Sequence, residues 1–455
     1  MCIRDRRGWN LGYRAIINPN SDRGSAEKDN VAIMGGGISL MPSRDVWVKE
    51  DLPILDSGNI DEDATGVTLG SVVSYGDSFR AYYTGRSSTG VSTICVAIAN
   101  NGESFSEFIP VLGGRSQTMA WDSVRHDPVV IFLGDVWLMY YIGYSVMGIS
   151  QVGLALSGNG IDWSPLNNPV LSPSSTGFDS GSIMDCSVVF HNNLFMMYYT
   201  GMDSSMSQTA IGYAFSGDGG TWTRSPNNPV LKTGPSSSDW DAGYVRSPYM
   251  VPTRDQYVLY YLGGKGSDPN GGMSAVGYAT SSNGLDFNRA SANPILVPRV
   301  GGLADDYRGI RGMMVFEDMD GPFTIVFTGQ GMDWTNRIFE ARSGYVSDGY
   351  FITKPYQLDR RPDAFTTIKM DADLPQATSV AISIRTSSDG NTWTPWQSYD
   401  PPGDSDGQQV PTEEYFQMRL DLNSEFGEDS PIVHNVVLDY RSRVRFSTIE
   451  VFPVA

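Results

Sequence analysis

Short apolar segments broken by turn-forming residues recur along most of the chain. The longest, residues 129–149, is almost apolar enough to pass for a membrane span. Gly134-Asp135 interrupts it, however, and such a dipeptide is typical of a tight turn between two strands. The same layout returns at residues 188–201, again with a polar turn inside. A membrane helix would not repeat with a polar turn at its centre, so the pattern predicts pairs of buried β-strands.

A tetrapeptide of two aromatic residues, a variable residue and glycine marks each repeat. Its copies, of which the last diverges, are Tyr82-Tyr83-Thr84-Gly85, Tyr140-Tyr141-Ile142-Gly143, Tyr198-Tyr199-Thr200-Gly201, Tyr260-Tyr261-Leu262-Gly263 and Val326-Phe327-Thr328-Gly329. Apolar segments flank each copy, and the middle copies continue into an Asn-Gly or Asp-Gly turn, an aromatic residue and a short segment opened by Asn-Pro. Four strands per unit and five units predict a five-bladed β-propeller.

The repeat also divides the chain. We assign residues 46–355 to the propeller and expect the segment around Trp47 to supply the missing strand of the last unit. Residues 1–45 form an N-terminal segment, expected to be irregular or truncated. Alternating polar and apolar residues without the repeat in 356–455 predict a small β-sandwich. The predicted fold class is therefore all-β, a five-bladed propeller followed by a sandwich.

Composition agrees with a folded all-β protein and narrows its partners. Of the 455 residues 40% are apolar, enough for a large core. Asp and Glu outnumber Lys and Arg by 51 to 32, a net charge of −19 that argues against nucleic acid and anionic membranes as partners. Three widely spaced cysteines and three histidines match neither a disulfide framework nor a metal-binding pattern, so we expect no cofactor and no metal.

A repeat separates architectural residues from candidates for chemistry. A residue type that occurs in every unit belongs to the fold, whereas one that breaks the pattern at a central position is a candidate for function. By this criterion the aspartates that precede the first strand of each unit are architectural, and they are Asp63, Asp122, Asp179, Asp241 and Asp306.

The entrance of each first strand shows the opposite behaviour. In chain order the residues there are Gly70, Asp127, Asp185, Ser247 and Gly312. Only two neighbouring units place a carboxylate at this point, where the first strands of a propeller converge. Two nearby carboxylates drive their pKa values apart, as an acid and a base require. The alternative is a structural role, in which each aspartate caps a strand or holds water.

Basic residues cluster at the same entrances. They are Arg125, His126, Arg246, Arg308 and Arg311. These cations can bind an anionic group, hydrogen-bond hydroxyls or neutralise the two carboxylates, and structural ion pairing is an equally weighted alternative.

The arrangement resembles the five-bladed propeller glycoside hydrolases: the invertase and fructanase group, the arabinanase and xylosidase group, and the mannoside phosphorylases. Besides the repeat, two local motifs carry this resemblance. His126-Asp127-Pro128 resembles the Arg-Asp-Pro motif of the invertase group, whose Asp stabilises the transition state. Asp185-Cys186 resembles the Glu-Cys motif of that group, whose Glu is the general acid.

The resemblance implies a glycosidase that acts on a poly- or oligosaccharide, with Asp185 as the acid and Asp127 as the stabilising carboxylate. Asp185 is one methylene shorter than the family glutamate, and Gly70 stands where the family nucleophile or base is expected. We therefore expect a loop carboxylate, Asp63 or Asp61, to activate water. A secreted or extracellular location is expected for such an enzyme.

Substrate binding is assigned to the basic residues and to two tryptophans that stand beside the architectural aspartates. The assigned residues are His126, Arg246, Arg308, Arg311, Trp121 and Trp240. For the tryptophans, a purely structural role is the favoured alternative to a sugar-stacking floor.

Two alternatives to hydrolysis stay open. A phosphorylase needs only an acid, with phosphate held by Arg246 and Arg311. A non-catalytic glycan-binding propeller would explain the missing carboxylate in the first unit. Residues 216–222 also resemble the hairpins of sialidases, but those propellers have six blades and the repeat here gives five.

Overall fold

The structure is a computed structural model that describes residues 28–451. The positions within this span that it does not describe are 30, 35–36, 101–103, 116–119, 267–273, 300–305, 318–322, 354, 358–363, 400–412, 426, 428 and 443–444.

Nearly all regular structure in the described residues is β-strand. In chain order the strands are β1 (Lys28–Asp29), β2 (Val31–Met34), β3 (Gly37–Leu40), β4 (Pro42–Lys49), β5 (Gly66–Tyr75), β6 (Ser78–Arg86), β7 (Ser92–Asn100), β8 (Glu107–Gly113), β9 (Val124–Phe132), β10 (Trp137–Tyr144), β11 (Ser150–Ser157), β12 (Ser164–Pro165), β13 (Ser182–His191), β14 (Leu194–Met202), β15 (Thr209–Ser216), β16 (Thr223–Arg224), β17 (Tyr244–Pro252), β18 (Tyr257–Gly264), β19 (Ala275–Ser281), β20 (Asn288–Arg289), β21 (Ile310–Phe316), β22 (Thr324–Gln330), β23 (Asn336–Tyr345), β24 (Asp348–Ile352), β25 (Tyr356–Gln357), β26 (Ala364–Asp373), β27 (Thr378–Ser387), β28 (Gln397–Tyr399), β29 (Tyr415–Ser424), β30 (Ile432–Ser442) and β31 (Arg445–Val451). A single 3-10 turn, Asp61–Asp63, is the helical element of the described part. The all-β prediction is confirmed, and no described helix has the length and apolar character needed to cross a membrane.

Five of the sheets have four antiparallel strands each and correspond to the five sequence units. They are sheet I (β5-β6-β7-β8), sheet II (β9-β10-β11-β12), sheet III (β13-β14-β15-β16), sheet IV (β17-β18-β19-β20) and sheet V (β21-β22-β23-β4). Sheet V is completed by β4, which contains Trp47 and pairs with β23. The expectation that the segment around Trp47 completes the last unit is confirmed.

The first strands of these sheets contact one another in cyclic order. β5 contacts β9, and the sequence of contacts continues through β13 and β17 to β21, which contacts β5 again. The side chains between neighbouring sheets form separate apolar cores, such as the one that joins sheets II and III around Ile142 and Tyr199. Burial of these faces fixes the five first strands around a common centre.

The two tyrosines of the repeat hold different parts of the fold together. The first tyrosine donates its hydroxyl to a turn carbonyl of the following sheet, with distances of 2.8 Å for Tyr82–Gly160, Tyr140–Gly219 and Tyr198–Gly284. The second donates to the aspartate that precedes its own sheet, in the pairs Tyr83–Asp63, Tyr141–Asp122, Tyr199–Asp179 and Tyr261–Asp241. A buried tyrosine hydroxyl needs a partner, so both positions keep the residue type along the repeat for structural reasons.

The glycine of the tetrapeptide is required by close packing. A Cβ atom on Gly143 would lie 2.3 Å from a ring carbon of Trp121 and 2.7 Å from the Cβ atom of Asp122. Gly201 has the same relation to Phe178, and Gly263 to Trp240. The aromatic residue and aspartate before each of these sheets therefore pack onto the tetrapeptide, as expected of architectural residues.

Two further sheets contain the C-terminal strands. One has the order β1-β24-β29-β27-β28 with β25 on β29, and the other has the order β2-β3-β30-β26 with β31 on β30. Buried residues of both sheets, among them Leu40, Phe416 and Val433, share one apolar core.

The strands at residues 28–40 differ from the irregular N-terminal segment that we expected. β1 pairs with β24, and β3 pairs with β30. These partners lie hundreds of residues away in sequence, and a local pattern cannot reveal them. Residues 1–27 lie outside the described part, and the division of the chain at 45 and 355 stays a prediction.

Candidate active site

A cavity of about 110 Å³ lies where the five first strands meet. Each of β5, β9, β13, β17 and β21 contributes to its wall. Its charged lining residues are Asp127, Asp185 and Arg311, and Thr68 and Ser247 add polar groups. The structure therefore brings the two predicted carboxylates and one predicted arginine to a common space.

An irregularity in strand pairing occurs in each first strand beside this cavity. Such β-bulges turn side chains away from the regular alternation and are frequent next to active sites. We define the entrance position by the first residue of each tetrapeptide: it lies two places before the residue with which that first residue pairs. The entrance residues are Leu69, Asp127, Asp185, Ser247 and Gly312.

This register corrects one residue of the sequence prediction. Leu69, and not Gly70, is the counterpart of Asp127 and Asp185, because the bulge in β5 inserts Gly70 between the paired residues Leu69 and Ser71. The conclusion drawn from that position is unchanged, since neither residue is a carboxylate. The two aspartates occupy equivalent positions on neighbouring strands.

A threonine of the preceding sheet anchors three of the five entrance residues. The accepting hydroxyl and donating backbone N–H are Thr84 and Asp127 at 2.9 Å, Thr200 and Ser247 at 3.0 Å, and Thr328 and Leu69 at 2.8 Å. Sheets II and IV have Ile142 and Leu262 in the threonine position and cannot make this bond. Sequence reasoning missed these anchors, although the alternation of threonine with aliphatic residues in the tetrapeptide is a visible signal.

Asp127 has an unusual backbone and a close histidine partner. Its φ of 52° lies in the left-handed region, which aspartate tolerates better than most residues, and Ser247 has a φ of 49°. The Asp127 carboxylate lies 2.9 Å from His126 Nδ1. Burial alone lowers the pKa of His126, but the carboxylates of Asp127 and Asp185 outweigh it and raise that pKa. The protonated imidazole and the Asp127 carboxylate thus form an ion pair over a wider pH range than a free histidine allows.

Asp185 is held by three donors. The hydroxyl of Thr200 and the backbone N–H of Ser247 donate to its Oδ1, the latter at 3.1 Å, and the hydroxyl of Ser247 donates to Oδ2 at 3.1 Å. A carboxyl group offers about four lone-pair sites, so one site on Oδ2 is left for a proton or a ligand. Burial raises the pKa of Asp185 and Asp127 adds to the rise, whereas the Thr200 hydrogen bond and the positive charge of Arg246 lower it. The net rise favours the protonated acid that a proton donor needs.

Arg246 supplies positive charge next to Asp185. Its side chain is buried, and its Nε and Nη2 atoms have no hydrogen-bond partner among the described residues. Buried guanidinium groups are normally paired. Arg246 is not among the residues that line the cavity, although its neighbour Ser247 is. Arg311 lines the cavity itself and donates to Gln330 at 2.7 Å.

The other predicted residues lie elsewhere. Arg125 is buried in an ion pair with Asp122, and its guanidinium is therefore structural. Arg308 is stacked over the ring of Trp334, with 3.5 Å between its Cζ atom and the ring centroid. Trp121 and Trp240 pack on Tyr141 and Tyr261 with ring centroids 6.0 and 5.5 Å apart. Neither tryptophan lines the cavity, and their packing is that of architectural residues.

Asp63 is not placed to activate water in the cavity. It is fully buried, its Oδ1 accepts backbone N–H bonds from Gly58, Asn59 and Ile60, and its Oδ2 accepts the Tyr83 hydroxyl. The adjacent Asp61 is exposed, and neither residue is among those that line the cavity. The carboxylate of Asp63 is thus occupied by its own turn and by Tyr83, and the tyrosine contact is the one that it shares with Asp122, Asp179 and Asp241.

Two carboxylates are therefore the acidic groups of the cavity wall, as far as the described residues show. Within the same residues no cluster of three or more His, Cys, Asp or Glu side chains is arranged to hold a metal ion. The geometry suits proton transfer between a ligand oxygen and a fixed carboxyl group, with cationic donors nearby.

Comparison with known proteins adds a sequence match in the middle of the chain. The profile of the glycosyl hydrolases family 32 N-terminal domain matches residues 147–293, which include Asp185 and Arg246. No curated protein matches the chain.

Solved structures match a larger part of the chain in fold. One, described as a BT0996 RGII complex, has 18% identity and a TM-score of 0.53, covering 66% of this chain and 92% of its own. A second, described as a glycoside hydrolase, has 19% identity and a TM-score of 0.53 over 66% and 93%. A third comes from work on the GH130 family of mannoside phosphorylases, which contains glycoside hydrolases that target β-1,2 mannosidic linkages in Candida mannan. It has 15% identity and a TM-score of 0.51 over 66% and 94%. The resemblance predicted from the motifs is confirmed: this chain is similar to the glycoside hydrolase propellers, in sequence across residues 147–293 and in fold across about 66% of its length.

Proposed function

We propose that the chain is a glycosidase that cleaves a poly- or oligosaccharide at the centre of a five-bladed β-propeller, with the C-terminal sheets as an accessory β-sandwich. Five four-stranded sheets with first strands in cyclic contact support the propeller. One apolar core shared by the two other sheets supports the sandwich. The observation that carries the function is the cavity in which Asp127 and Asp185 meet from equivalent positions of neighbouring strands.

Asp185 is the proton donor in this proposal. Burial holds a proton on it more readily than on a free carboxyl group, and Thr200 and Ser247 fix its orientation. It transfers this proton to the glycosidic oxygen as the bond between that oxygen and the anomeric carbon breaks. The leaving sugar then departs as a neutral alcohol.

Asp127 takes the role that Asp63 cannot fill. Its carboxylate, paired with His126, accepts a proton from the water that attacks the anomeric carbon. Together the two steps consume one water and return both carboxyl groups to their starting states after proton exchange with solvent. The stabilising role first expected for Asp127 is compatible with this one, because a carboxylate at that place also favours positive charge on the sugar ring.

The charge of the site suits a substrate rich in hydroxyl groups. Arg311 supplies donors on the cavity wall, and His126 and Arg246 directly precede the lining residues Asp127 and Ser247, while the protein as a whole carries −19 and repels polyanions. A polysaccharide substrate is met outside the cell, so the proposal includes an extracellular site of action.

Phosphorolysis is the second candidate, and one observation favours it. Arg311 lies on the cavity wall, where its positive charge can attract a phosphate dianion, and Arg246, which precedes the lining residue Ser247, adds positive charge behind that wall. In that reaction phosphate takes the place of water, and Asp127 has no proton to accept.

One experiment separates these functions. The full chain is incubated with arabinan, levan, β-mannan and rhamnogalacturonan, with aryl glycosides, and with and without inorganic phosphate. Free reducing sugar supports hydrolysis, and sugar 1-phosphate formed only with phosphate supports phosphorolysis. Binding without any product between about pH 4 and about pH 8, the range in which carboxyl and imidazole groups titrate, would overturn the enzymatic proposal in favour of a glycan-binding propeller.

A further inference from the structure

The loop between β22 and β23 carries an exposed tryptophan, which is not among the residues that line the cavity. Trp334 has 63% of its surface exposed. Gly329 of β22 pairs with Ile310, the residue before the cavity-lining Arg311, so residues 331–335 follow at the cavity end of sheet V. Single exposed apolar side chains are common on protein surfaces, so the contacts that fix Trp334 decide whether it can serve as a binding surface.

Arg308 covers one face of this tryptophan. Its guanidinium carbon lies 3.5 Å from the ring centroid, and its Nε atom is buried without a hydrogen-bond partner in the described part of the chain. The stacked cation is attracted by the ring and fixes its plane. Arg308 covers one face of the indole, so the exposed surface of Trp334 is the rest of the ring.

The loop around Trp334 is held in one conformation. The backbone N–H of Gly331 donates to Thr335, and that of Trp334 donates back to Gly331, each at 3.1 Å. The Asp333 carboxylate accepts from the Thr335 N–H at 3.0 Å and pairs with Arg337 at 2.8 Å. Trp334 itself has a φ of 64°, a left-handed conformation that is rare for a bulky residue and persists only where its surroundings impose it.

Gln330 connects the stacked pair of Arg308 and Trp334 to the cavity wall. Gln330, the last residue of β22, accepts the Arg308 backbone N–H at 2.9 Å and the Arg311 guanidinium at 2.7 Å. Arg311 lines the cavity. The stacked pair of Arg308 and Trp334 is thus fixed to the same strand ends that form the cavity wall.

We propose that Trp334, backed by Arg308, is a sugar-binding platform at the mouth of the cavity, where one ring of a polysaccharide chain stacks through its C–H face. This inference rests on the proposed function and extends it to a saccharide subsite away from the cleaved bond. A sugar ring has an apolar face of C–H groups and a polar rim, and a rigid indole buries that face at little cost in conformational entropy. Trp334 is a binding residue and takes no part in proton transfer.

Retention in native gels tests the platform. The full chain and its Trp334→Ala, Trp334→Phe and Met206→Ala variants are run through gels that contain arabinan, levan, β-mannan or rhamnogalacturonan. Met206 is the matched control, since it is 70% exposed in the corresponding loop of sheet III but is not aromatic. The measurements are repeated with Asp185→Asn also present, so that cleavage cannot alter the gel.

The expected result is retention of the wild-type chain by at least one polysaccharide, with affinity about tenfold lower for Trp334→Ala, intermediate for Trp334→Phe and unchanged for Met206→Ala. The platform is overturned if Trp334→Ala is retained as strongly as the wild type. It is also overturned if none of the four polysaccharides retains the wild type. Failure of the proposed function has another signature: no variant forms product, yet retention still depends on Trp334.

Discussion

Ser247 donates both its backbone N–H and its hydroxyl to the carboxylate of Asp185, each at 3.1 Å. The two residues belong to neighbouring sheets and occupy equivalent positions of their first strands. The contact therefore joins sheets III and IV and at the same time orients the proposed acid. In the proposed function the same hydrogen bonds serve both stability and catalysis, and substitutions around the cavity test the two roles separately.

Thr84→Val removes the anchor of Asp127 while keeping the side-chain shape. The Thr84 hydroxyl accepts the Asp127 backbone N–H at 2.9 Å, and its loss leaves that donor without a described partner. We expect the free energy of unfolding, measured in urea, to fall by about 1–2 kcal/mol. Thr223→Val, on the exposed side of β16, is the control and should change it by less than about 0.5 kcal/mol. Equal values for the two variants would contradict the anchor.

Gly143→Ala tests the packing of the repeat. The added methyl group would lie 2.3 Å from the Trp121 ring, and the Asp122 Cβ atom blocks its other side. We expect a loss of about 3 kcal/mol or more, or no folded protein. Gly217→Ala introduces the same methyl group into a turn where nothing lies within 4 Å, and should leave the melting temperature almost unchanged. A stable Gly143→Ala variant would show that Trp121 does not pack as described.

His126 should make a pH-dependent contribution to stability. Its pKa is raised in the folded state by Asp127 and Asp185, against the opposing effect of burial. The contribution is therefore complete below the ordinary histidine pKa of about 6.5 and disappears as the pH rises through the raised value. The difference in unfolding free energy between wild type and His126→Gln should shrink from about pH 5.5 to about pH 9. A difference that grows with pH would contradict the ion pair.

Asp185→Asn should show a pH dependence in the same direction, because the pKa of Asp185 is also raised in the folded state. Burial raises the pKa of Asp185, so the folded protein binds this proton more tightly than the unfolded chain does. Ionisation of Asp185 then destabilises the wild type as the pH rises through the raised pKa, whereas Asn does not titrate. In urea unfolding from about pH 4 to about pH 8, the unfolding free energy of Asp185→Asn should rise relative to that of the wild type. If the unfolding free energy of the wild type rises relative to that of the variant instead, folding stabilises the ionised form of Asp185, which would contradict the raised pKa.

The periodic part of the architecture could be predicted from the sequence because each unit repeats the same local chemistry. The Tyr82-Tyr83 pattern identified the central strands, and Trp47 was correctly placed in the last sheet because only one unit lacked a strand. The pairing of β1 and β3 with C-terminal strands could not be predicted, since it depends on distant partners and short segments.

The sequence predicts the site residues that break the repeat. It does not predict those whose role depends on strand register or on contacts within loops. Asp127 and Asp185 were identified as repeat-breaking carboxylates, and both line the cavity. The sequence also favours Asp63 for catalysis, but its Oδ1 is occupied by the backbone of its own turn and its Oδ2 by the Tyr83 hydroxyl. The bulge at Gly70 shifted the register by one residue, and the stacking of Trp334 on Arg308 has no signature in sequence spacing.

The most direct measurement compares product formation by wild type, Asp127→Asn, Asp185→Asn and Asp255→Asn on the polysaccharide or aryl glycoside that the wild-type protein cleaves. Asp255 is an exposed aspartate in the turn between β17 and β18 and serves as the matched control. The account predicts that both cavity variants stay folded and lose about 10²-fold or more of kcat/KM, while Asp255→Asn keeps wild-type activity. Wild-type rates from both Asp127→Asn and Asp185→Asn would contradict it.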